Sequence, residues 1–540
     1  MEITFAVNSN ANSKRRCGSK VRTGCAFCKA RHLKCDEQKP ACARCLASGK
    51  ECPGYDVFRV VQSRSTSTSS ASTSSSLSIS RSPSPILPDA TYQERQQFHV
   101  FQGFIVGGFC GMFDGPWWSP YILKAAVAEP MILHAALAFA SASNEGGGGD
   151  VFAIKQQNKA MTRLHSILAK ADEENPVMLL LAVMLLACLS FARNEPEEAI
   201  LHLQGGAAIL GKIDNHRPSF ASGPTTEGAE SCLVNAFRRL DIATSLSMTS
   251  RPFPDWFSRW IVRQRLNASP GAIAPDSLVV LRNRQDRWTT EVVCLRQAIQ
   301  KLGGIPLHNN TYLQLQLREL DAAGERWRVA LDHVTTQDIP NIKDPELKEN
   351  AIRATTLLKL QHISAKIMLA TALSDGRETD FDDHVSEFDT IINLATKLAP
   401  YFQARPTSFT LDVGVIPALY YTVTKCRDPT VRHRALDLLS SFKHREGAWD
   451  ARVSARAARI IMAVEENAAT AALIFPPLSP VVDQKRKTSI TSASDIPEMV
   501  RSFEAYFDED TGEDVVYMKR KRFEGDGDWF YWEERSPILD

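Results

Sequence analysis

Apolar residues recur at intervals of three and four over most of the chain, from about residue 91 to residue 475. The pattern is clearest over residues 151–170, 197–210, 354–373 and 451–466. This spacing places the apolar side chains on one face of an α-helix. Strand-like alternation is scarce, and Gly or Pro separates the segments. We therefore predict a mostly α domain of stacked helices over residues 91–475.

The longest apolar stretch is "VMLLLAVMLLACLSFA" at residues 177–192. A membrane-spanning helix needs about 20 such residues, and this stretch is shorter and ends in "RNEPEE". We predict that it is a buried core helix and that the protein has no membrane partner. The N-terminus has no long apolar run of the signal-peptide type, so we expect a soluble intracellular protein.

Two segments depart from the helical pattern. Residues 63–84 contain 16 Ser and Thr in 22 positions, a composition that cannot bury a core, so we predict a disordered linker over residues 61–90. In the C-terminal segment, residues 476–540, two strand-like runs flank "EGDGD" and predict a β-hairpin. The same tail leaves two other interpretations open: "KRKR" as a nuclear-import signal and "FEAYFDEDTGED" as an acidic activation patch.

Charge is distributed unevenly along the 540 residues. The whole chain carries only +1. Residues 11–64 hold 13 lysines and arginines against four acids, a net charge of +9, so the rest carries about −8. A basic head on a mildly acidic body indicates a polyanionic partner for the head.

Six of the chain's 12 cysteines lie in this basic head, with the spacing C-x2-C-x6-C-x6-C-x2-C-x6-C. They form two equal halves offset by 17 residues: Cys25, Cys28, Cys35, and Cys42, Cys45, Cys52. Zinc takes four tetrahedral ligands, so six thiolates serve two ions if one sulfur from each half bridges both metals. Three disulfides, and a single four-cysteine site with two spare thiols, are weaker alternatives. Ferredoxin spacing is absent.

The segment "CAFCKARHLKCDEQKPACARCLASGKEC" resembles the DNA-binding domain of fungal zinc binuclear cluster transcription factors. The match includes every cysteine and Pro40. The resemblance implies a zinc binuclear cluster domain over residues 17–60 that holds two structural Zn²⁺ ions, bridged by Cys25 and Cys42. Cys28 and Cys35 would complete one site, and Cys45 and Cys52 the other. Cys17 lies outside the motif.

The same resemblance implies how the head binds double-stranded DNA. Such modules place a short metal-anchored helix in the major groove, and the family reads a CGG-type triplet. Residues 29–34 would supply the base contacts, through Arg31, His32 and Lys34, and Lys29 is a further DNA contact in this segment. Lysine stands in several relatives where this chain has His32. The cations placed better for phosphates, which add affinity without sequence information, are Arg15, Arg16, Lys20, Arg22, Arg44 and Lys50.

The body carries a second resemblance. Residues 116–145 and residues 411–466, with their "KCRDP", "REG-W-D" and terminal "EE" elements, are similar to the helical regulatory region of a large ascomycete subgroup of these factors. Together the resemblances imply a nuclear regulator of RNA polymerase II transcription that works with the transcription machinery and is not an enzyme. A homodimer and a small-molecule effector stay open as further partners.

Two other function classes, an enzyme and a regulator that does not bind DNA, have weaker support in the sequence. An enzyme in the body has weak support: "GAAILGK" at residues 206–212 follows phosphate-loop spacing, but Ile213 replaces the required Ser or Thr, so we predict a helix-packing glycine pair. His134, His165 and His202 lie on apolar helical segments and are predicted to be core residues. The alternative function is a zinc- or thiol-responsive regulator without direct DNA binding, for which the +9 head would be unnecessary.

Overall fold

The computed structural model describes a large part of the chain in two compact units, Met1–Pro83 and Ser84–Asp540. The described residues are 28, 35–36, 38, 42–49, 52, 87, 90–109, 111–113, 115–143, 150–170, 176–216, 229–246, 278–301, 310–374, 377–404, 409–474, 490–496, 502–508, 515–524 and 528–537. From here on, the head is the whole unit Met1–Pro83, which includes the basic residues 11–64, and the body is Ser84–Asp540.

The described residues are mainly helical, as predicted. The described part of the head includes the short helix α1 (Ala43–Ala47). The body helices are α2 (Tyr92–Val100), α3 (Val106–Phe109), α4 (Gly115–Ala128), α5 (Pro130–Ala142), α6 (Asp150–Lys170), α7 (Pro176–Ala192), α8 (Pro196–His216), α9 (Ala229–Leu246), α10 (Leu278–Lys301), α11 (Thr311–His333), α12 (Pro345–Ala370), α13 (Val385–Gln403), α14 (Ile416–Lys425), α15 (Pro429–Ser440) and α16 (Ala451–Ile474). The four most periodic sequence segments lie on α6, α8, α12 and α16, which confirms the mostly α fold class.

Side-chain caps explain where several helices begin. Thr91 and Glu94 form a capping box at α2: the Thr91 hydroxyl accepts from the Glu94 amide at 3.2 Å, and the Glu94 carboxylate accepts from the Thr91 amide at 2.9 Å. Burial alone would raise the pKa of Glu94, but hydrogen bonds from Thr91, Gln156 and Lys159 outweigh it and hold the pKa at about 2. These groups stabilise the ionised carboxylate and bind α2 to α6.

The first hydrophobic core of the body surrounds α7. Residues 179–191 of this helix are all buried, and α7 packs against α5 and α8. The predicted buried core helix is thereby confirmed. Among the described residues, no single helix has both the length and the hydropathy for crossing a membrane. Helices α4 and α5 reach that length and hydropathy only when they are taken together, and they are bent by 119° at their junction.

The second core lies among helices α10 to α16. Phe388, Ile391 and Leu419 are fully buried at its centre. His362 of α12 is also buried there, with its ring stacked between Trp288 and Trp327 at centroid distances of 4.8 and 4.7 Å. The two indoles therefore exclude water from both faces of this imidazole.

A small three-stranded sheet touches both cores. Strand β1 (Phe409–Thr410) runs parallel to β2 (Arg445–Glu446), which pairs antiparallel with β3 (Trp449–Asp450). Phe409 packs into the first core and Trp449 into the second. Gly447, between β2 and β3, has a φ of 56°, a conformation that glycine adopts without a steric penalty. The sheet thus ties the two helical layers together.

The C-terminal segment forms a second, antiparallel sheet. Its strands are β4 (Ser502–Asp508), β5 (Val515–Glu524) and β6 (Asp528–Pro537), with β5 in the centre. The β5–β6 pairing runs from Val515 opposite Pro537 to Glu524 opposite Asp528, which confirms the predicted hairpin. The basic residues 519–522 lie in the central strand; all four pair with β6, and Lys519 and Arg520 also pair with β4.

The predicted core histidines are only partly correct, whereas the predicted helix-packing glycines at residues 206–212 lie inside α8. Gly206, the first of the pair, packs so closely on Phe237 that an added Cβ would lie 2.4 Å from its ring. His134 and His202 are half-buried, but His165 is exposed. The prediction for His165 is wrong because its position on α6 points away from the face that buries Leu164.

Candidate metal and DNA-binding module

Five of the six motif cysteines have described positions, and their sulfurs come together in the head. The sulfurs of Cys28, Cys35 and Cys42 all lie within 4.8 Å of one another, and so do those of Cys42, Cys45 and Cys52. The Sγ atoms of Cys28 and Cys42 are 3.7 Å apart. Cys42 belongs to both groups, which is the position that a sulfur shared by two metal ions must occupy. Cys25 lies outside the described residues.

Helix α1 explains how Cys42 reaches this position. Cys42 is the N-cap of α1, and its sulfur accepts a hydrogen bond from the Cys45 amide at 3.4 Å. The first turn of the helix then carries Cys45 to the same side, where both thiol groups are fully buried. The thiolate is the form of cysteine that binds metal.

One hydrogen bond and one glycine define the two ends of this helix. The Asp36 carboxylate accepts from the Ala43 amide at 3.0 Å and so connects the segment after Cys35 to the start of α1. Gly49, with a φ of 63°, follows the C-cap residue Ser48 and ends the helix, as its sequence position predicts. Sequence reasoning missed the role of Asp36, although an acid inside such a basic segment was a usable signal.

The predicted DNA contacts are placed only in part. Arg44 is exposed on α1, between the buried Cys42 and Cys45, so its guanidinium is available to a phosphate. The other predicted contacts lie outside the described residues: Arg15, Arg16, Lys20, Arg22, Lys29, Arg31, His32, Lys34 and Lys50. Their assignment as DNA contacts stays a prediction.

The body contains a buried charge cluster that joins three of its elements. Asp412, which follows β1, binds Arg282 of α10 directly and lies 3.7 Å from Arg239 of α9. Asp286 lies 3.9 Å from Arg239 and 3.7 Å from Arg282. All four side chains are buried. The two positive and two negative charges balance, which is the condition under which buried charges are tolerated.

Comparison with known proteins agrees with this geometry. A model of the fungal Zn(2)-Cys(6) binuclear cluster domain matches residues 23–60. A model of the fungal specific transcription factor domain matches residues 116–445, more than half of the chain. The chain belongs to the fungal-specific transcription factor family. It is therefore a zinc-binding, DNA-binding transcription regulator and not an enzyme.

Individual relatives are named as regulators or activators. The aspercryptin biosynthesis cluster-specific transcription regulator of Emericella nidulans is 23% identical over 584 residues, covering 87% of this chain and 91% of the relative. Transcription activator AMTR1 of Alternaria alternata is 51% identical over 47 residues, 8% of this chain and 6% of the relative. White-opaque regulator 2 of Candida albicans is 48% identical over 44 residues, 8% and 10% of the two chains. No solved structure matches.

In this fungal-specific transcription factor, the "REG-W-D" element has a structural role. The Glu446 carboxylate accepts from the amides of Gly414, Val415 and Ile416 at 2.9 to 3.1 Å and so caps the start of α14 from a distant strand. The Trp449 indole donates to the Ala243 carbonyl at 2.7 Å. The motif thus holds α14 and α9 in place, which gives a physical reason for its specific residues.

The "KCRDP" and "EE" elements stabilise the neighbouring helices. Asp428 is the N-cap of α15 and accepts from the Val431 amide at 2.9 Å. Arg432 and Glu465 form a fully buried ion pair at 2.7 Å between α15 and α16. Sequence similarity pointed to these residues, but their roles became visible only when the two helices were placed side by side.

A small cleft lies between α9, α10, α12 and α14 in the described part of the body. Its walls include Asp286, Thr289 and Gln361 on the polar side and Leu246 and Met368 on the apolar side. Its cavity volume is about 30 Å³, room for about two water molecules.

Proposed function

We propose that the head holds two structural zinc ions in a cluster of six thiolates and that it reads a CGG-type triplet in double-stranded DNA. The observation that carries the proposal is the position of Cys42, whose sulfur is common to both groups of neighbouring thiols. With Cys25 as the second shared ligand, each zinc has four thiolates. No coordination position is then left for a catalytic water.

The charge of the module fits a DNA-binding role. Two Zn²⁺ ions and six thiolates sum to −2, which the surrounding lysines and arginines exceed. The proposed base-reading segment, residues 29–34, runs between the ligands Cys28 and Cys35, so both of its ends are fixed by metal. Arginine pairs with O6 and N7 of guanine in the major groove, and we assign this role to Arg31.

The family also supports a nuclear regulator of RNA polymerase II transcription. The basic residues 519–522 are an unsuitable import signal because all four are paired with β6 in a sheet, and Lys519 and Arg520 are also paired with β4. We therefore propose residues 14–16 or 485–487 as the import signal. For the domain organisation, we propose a zinc domain at residues 17–60, a linker at 61–90, a regulatory domain at 91–475 and a C-terminal segment at 476–540.

Zinc stoichiometry tests the metal assignment. The purified chain should contain two zinc ions, and Cys42→Ser should disturb both because it removes a shared ligand. Cys17→Ser is the matched control and should keep both ions. Chelation should unfold the head, since metal binding and folding are coupled in such small modules. One zinc per wild-type chain by elemental analysis would overturn the binuclear assignment.

A binding selection on randomised DNA tests the DNA assignment. Arg31→Ala should relax the preference at one base by about 1–3 kcal/mol. Arg44→Ala should weaken binding to all sequences alike and reduce the salt slope by about one. If wild type and both variants return the same motif with equal information, residues 29–34 do not read the bases. If the zinc-loaded chain selects no DNA, the zinc- or thiol-responsive alternative is favoured.

A further inference from the structure

Helix α11 has two distinct faces. Its inner face buries Leu313, Leu320, Trp327 and Leu331, and the helix packs against α10 and α12. The residues on the opposite side are all exposed and are spaced by alternating intervals of three and four: Tyr312, Leu315, Glu319, Ala322, Arg326 and Val329. We call these six residues the outer stripe. Alternating three-four spacing is the pattern by which one helix packs along another.

The outer stripe is unusually apolar for a solvent-facing helix surface. Tyr312 is 66% exposed, Leu315 54% and Val329 55%. Contiguous exposed apolar residues with charged residues among them mark interaction sites. The outer stripe extends about 26 Å along the helix, at about 1.5 Å per residue.

The two charges within the stripe are self-complementary. Glu319 and Arg326 are separated by two turns, about 10 Å along the axis, which is too far for them to pair within one helix. If a second α11 runs antiparallel about a two-fold axis beside Ala322, Glu319 faces Arg326 of the partner subunit. The symmetric contact forms at the same time, since a two-fold interface uses the same patch on both subunits.

Other residues on the helix fit the same axis. Leu315 and Val329 lie seven residues on either side of Ala322. In the antiparallel pair, Leu315 of each subunit therefore faces position 329 of the other. Arg318 and Glu325 are both exposed beside the stripe, and their midpoint lies within one residue of Ala322. Glu325 already binds Arg328 of its own helix, so Glu319 and Arg326 provide the main charge contact. A parallel pairing would instead place each charge against its own copy, which is unfavourable.

We propose that the outer stripe of α11 is a self-association surface on which a second copy of this chain docks antiparallel. Ala322 at the crossing point lets the two helices approach closely. The contact is at the small end of specific interfaces, so the dimer is weak, with a dissociation constant on the order of micromolar. The partner is a second copy because the stripe carries one acid and one base. A partner surface with charges of a single sign would be repelled by one of the two, whereas a second copy pairs with both.

Charge exchange on the full chain tests the proposal without DNA, so the result does not depend on the head. In sedimentation velocity at micromolar concentrations, the wild type should self-associate. Glu319→Arg and Arg326→Glu should each weaken self-association at least tenfold, about 1.4 kcal/mol, because each creates two like-charge contacts. The double exchange Glu319→Arg/Arg326→Glu should restore it. A mixture of the two single variants should also associate, since all contacts across that pair are attractive.

Lys155→Glu, an exposed cation on α6, is the matched control and should associate like the wild type. Both substituted positions are exposed, and circular dichroism should show unchanged helicity. A monomeric wild type at these concentrations overturns the proposal, and so do single variants that associate like the wild type. Failure of the mixed single variants to associate overturns the antiparallel arrangement.

Discussion

His362 should make the stability of the body depend on pH. Burial, and secondarily the nearby Lys366, lower the pKa of His362 from 6.5 to about 4. Its Nδ1–H donates to the Gln285 amide oxygen at 3.2 Å, and that amide is oriented by donation to Thr289 at 3.1 Å. Nε2 has no hydrogen-bond partner among the described residues. A proton added there would enter a dry site between two indoles.

The sign and size of the effect follow from this shift. Between pH 6.5 and about pH 4, the unfolded chain carries a proton at residue 362 that the folded chain lacks, so acidification favours unfolding. The full shift corresponds to about 3 kcal/mol. About 2 kcal/mol of this is lost between pH 7 and pH 5, and the contribution is nearly constant above pH 7.

The assay compares the wild type with His362→Phe, which keeps a planar ring between the indoles but cannot titrate. For a unit of this size, about 2 kcal/mol corresponds to about 2 °C in melting temperature. The melting temperature of wild type minus that of His362→Phe should therefore fall by about this amount from pH 7 to pH 5. His165→Phe controls for the removal of an exposed histidine. A difference that stays constant with pH would refute the reasoning.

Two further perturbations test the packing of the body. Gly206→Ala should destabilise it by about 1–3 kcal/mol, because the new Cβ would lie 2.4 Å from the Phe237 ring. The neighbouring Gly205 faces open space, so Gly205→Ala should stabilise α8 by up to about 1 kcal/mol. Asp412→Asn should cost about 3–5 kcal/mol because it leaves two buried arginines with Asp286 as their one remaining counter-charge in the cluster. Asp389→Asn, which removes an exposed ion pair, should cost less than about 1 kcal/mol.

Denaturant unfolding measures both comparisons. Equal effects of the two glycine substitutions would mean that α8 and α9 do not pack as described. An Asp412→Asn chain as stable as the wild type would mean that the buried charge cluster contributes no net stability.

The sequence predicted features that repeat locally. The cysteine halves, offset by 17 residues, pointed to a shared sulfur in each half, and the three-four spacing located α6, α8, α12 and α16. Contacts between distant segments left no such signal. β1 and β2 have two residues each, too few for a period, and they pair across 36 positions. Likewise, nothing in the sequence distinguishes the buried Asp412 from the exposed Asp389, because burial depends on which elements come together.

The contact between Trp449 and Ala243 has a consequence for synthesis of the protein. The two residues are 206 positions apart, and a ribosome adds about 5–20 residues per second. The end of α9 therefore emerges about 10–40 s before strands β2 and β3, which carry Trp449. During that interval, the apolar face that will receive Trp449 is open to chaperones or to other nascent chains. A message truncated before codon 449 would yield a chain in which this face is never covered, and such a product should be a substrate for proteolysis.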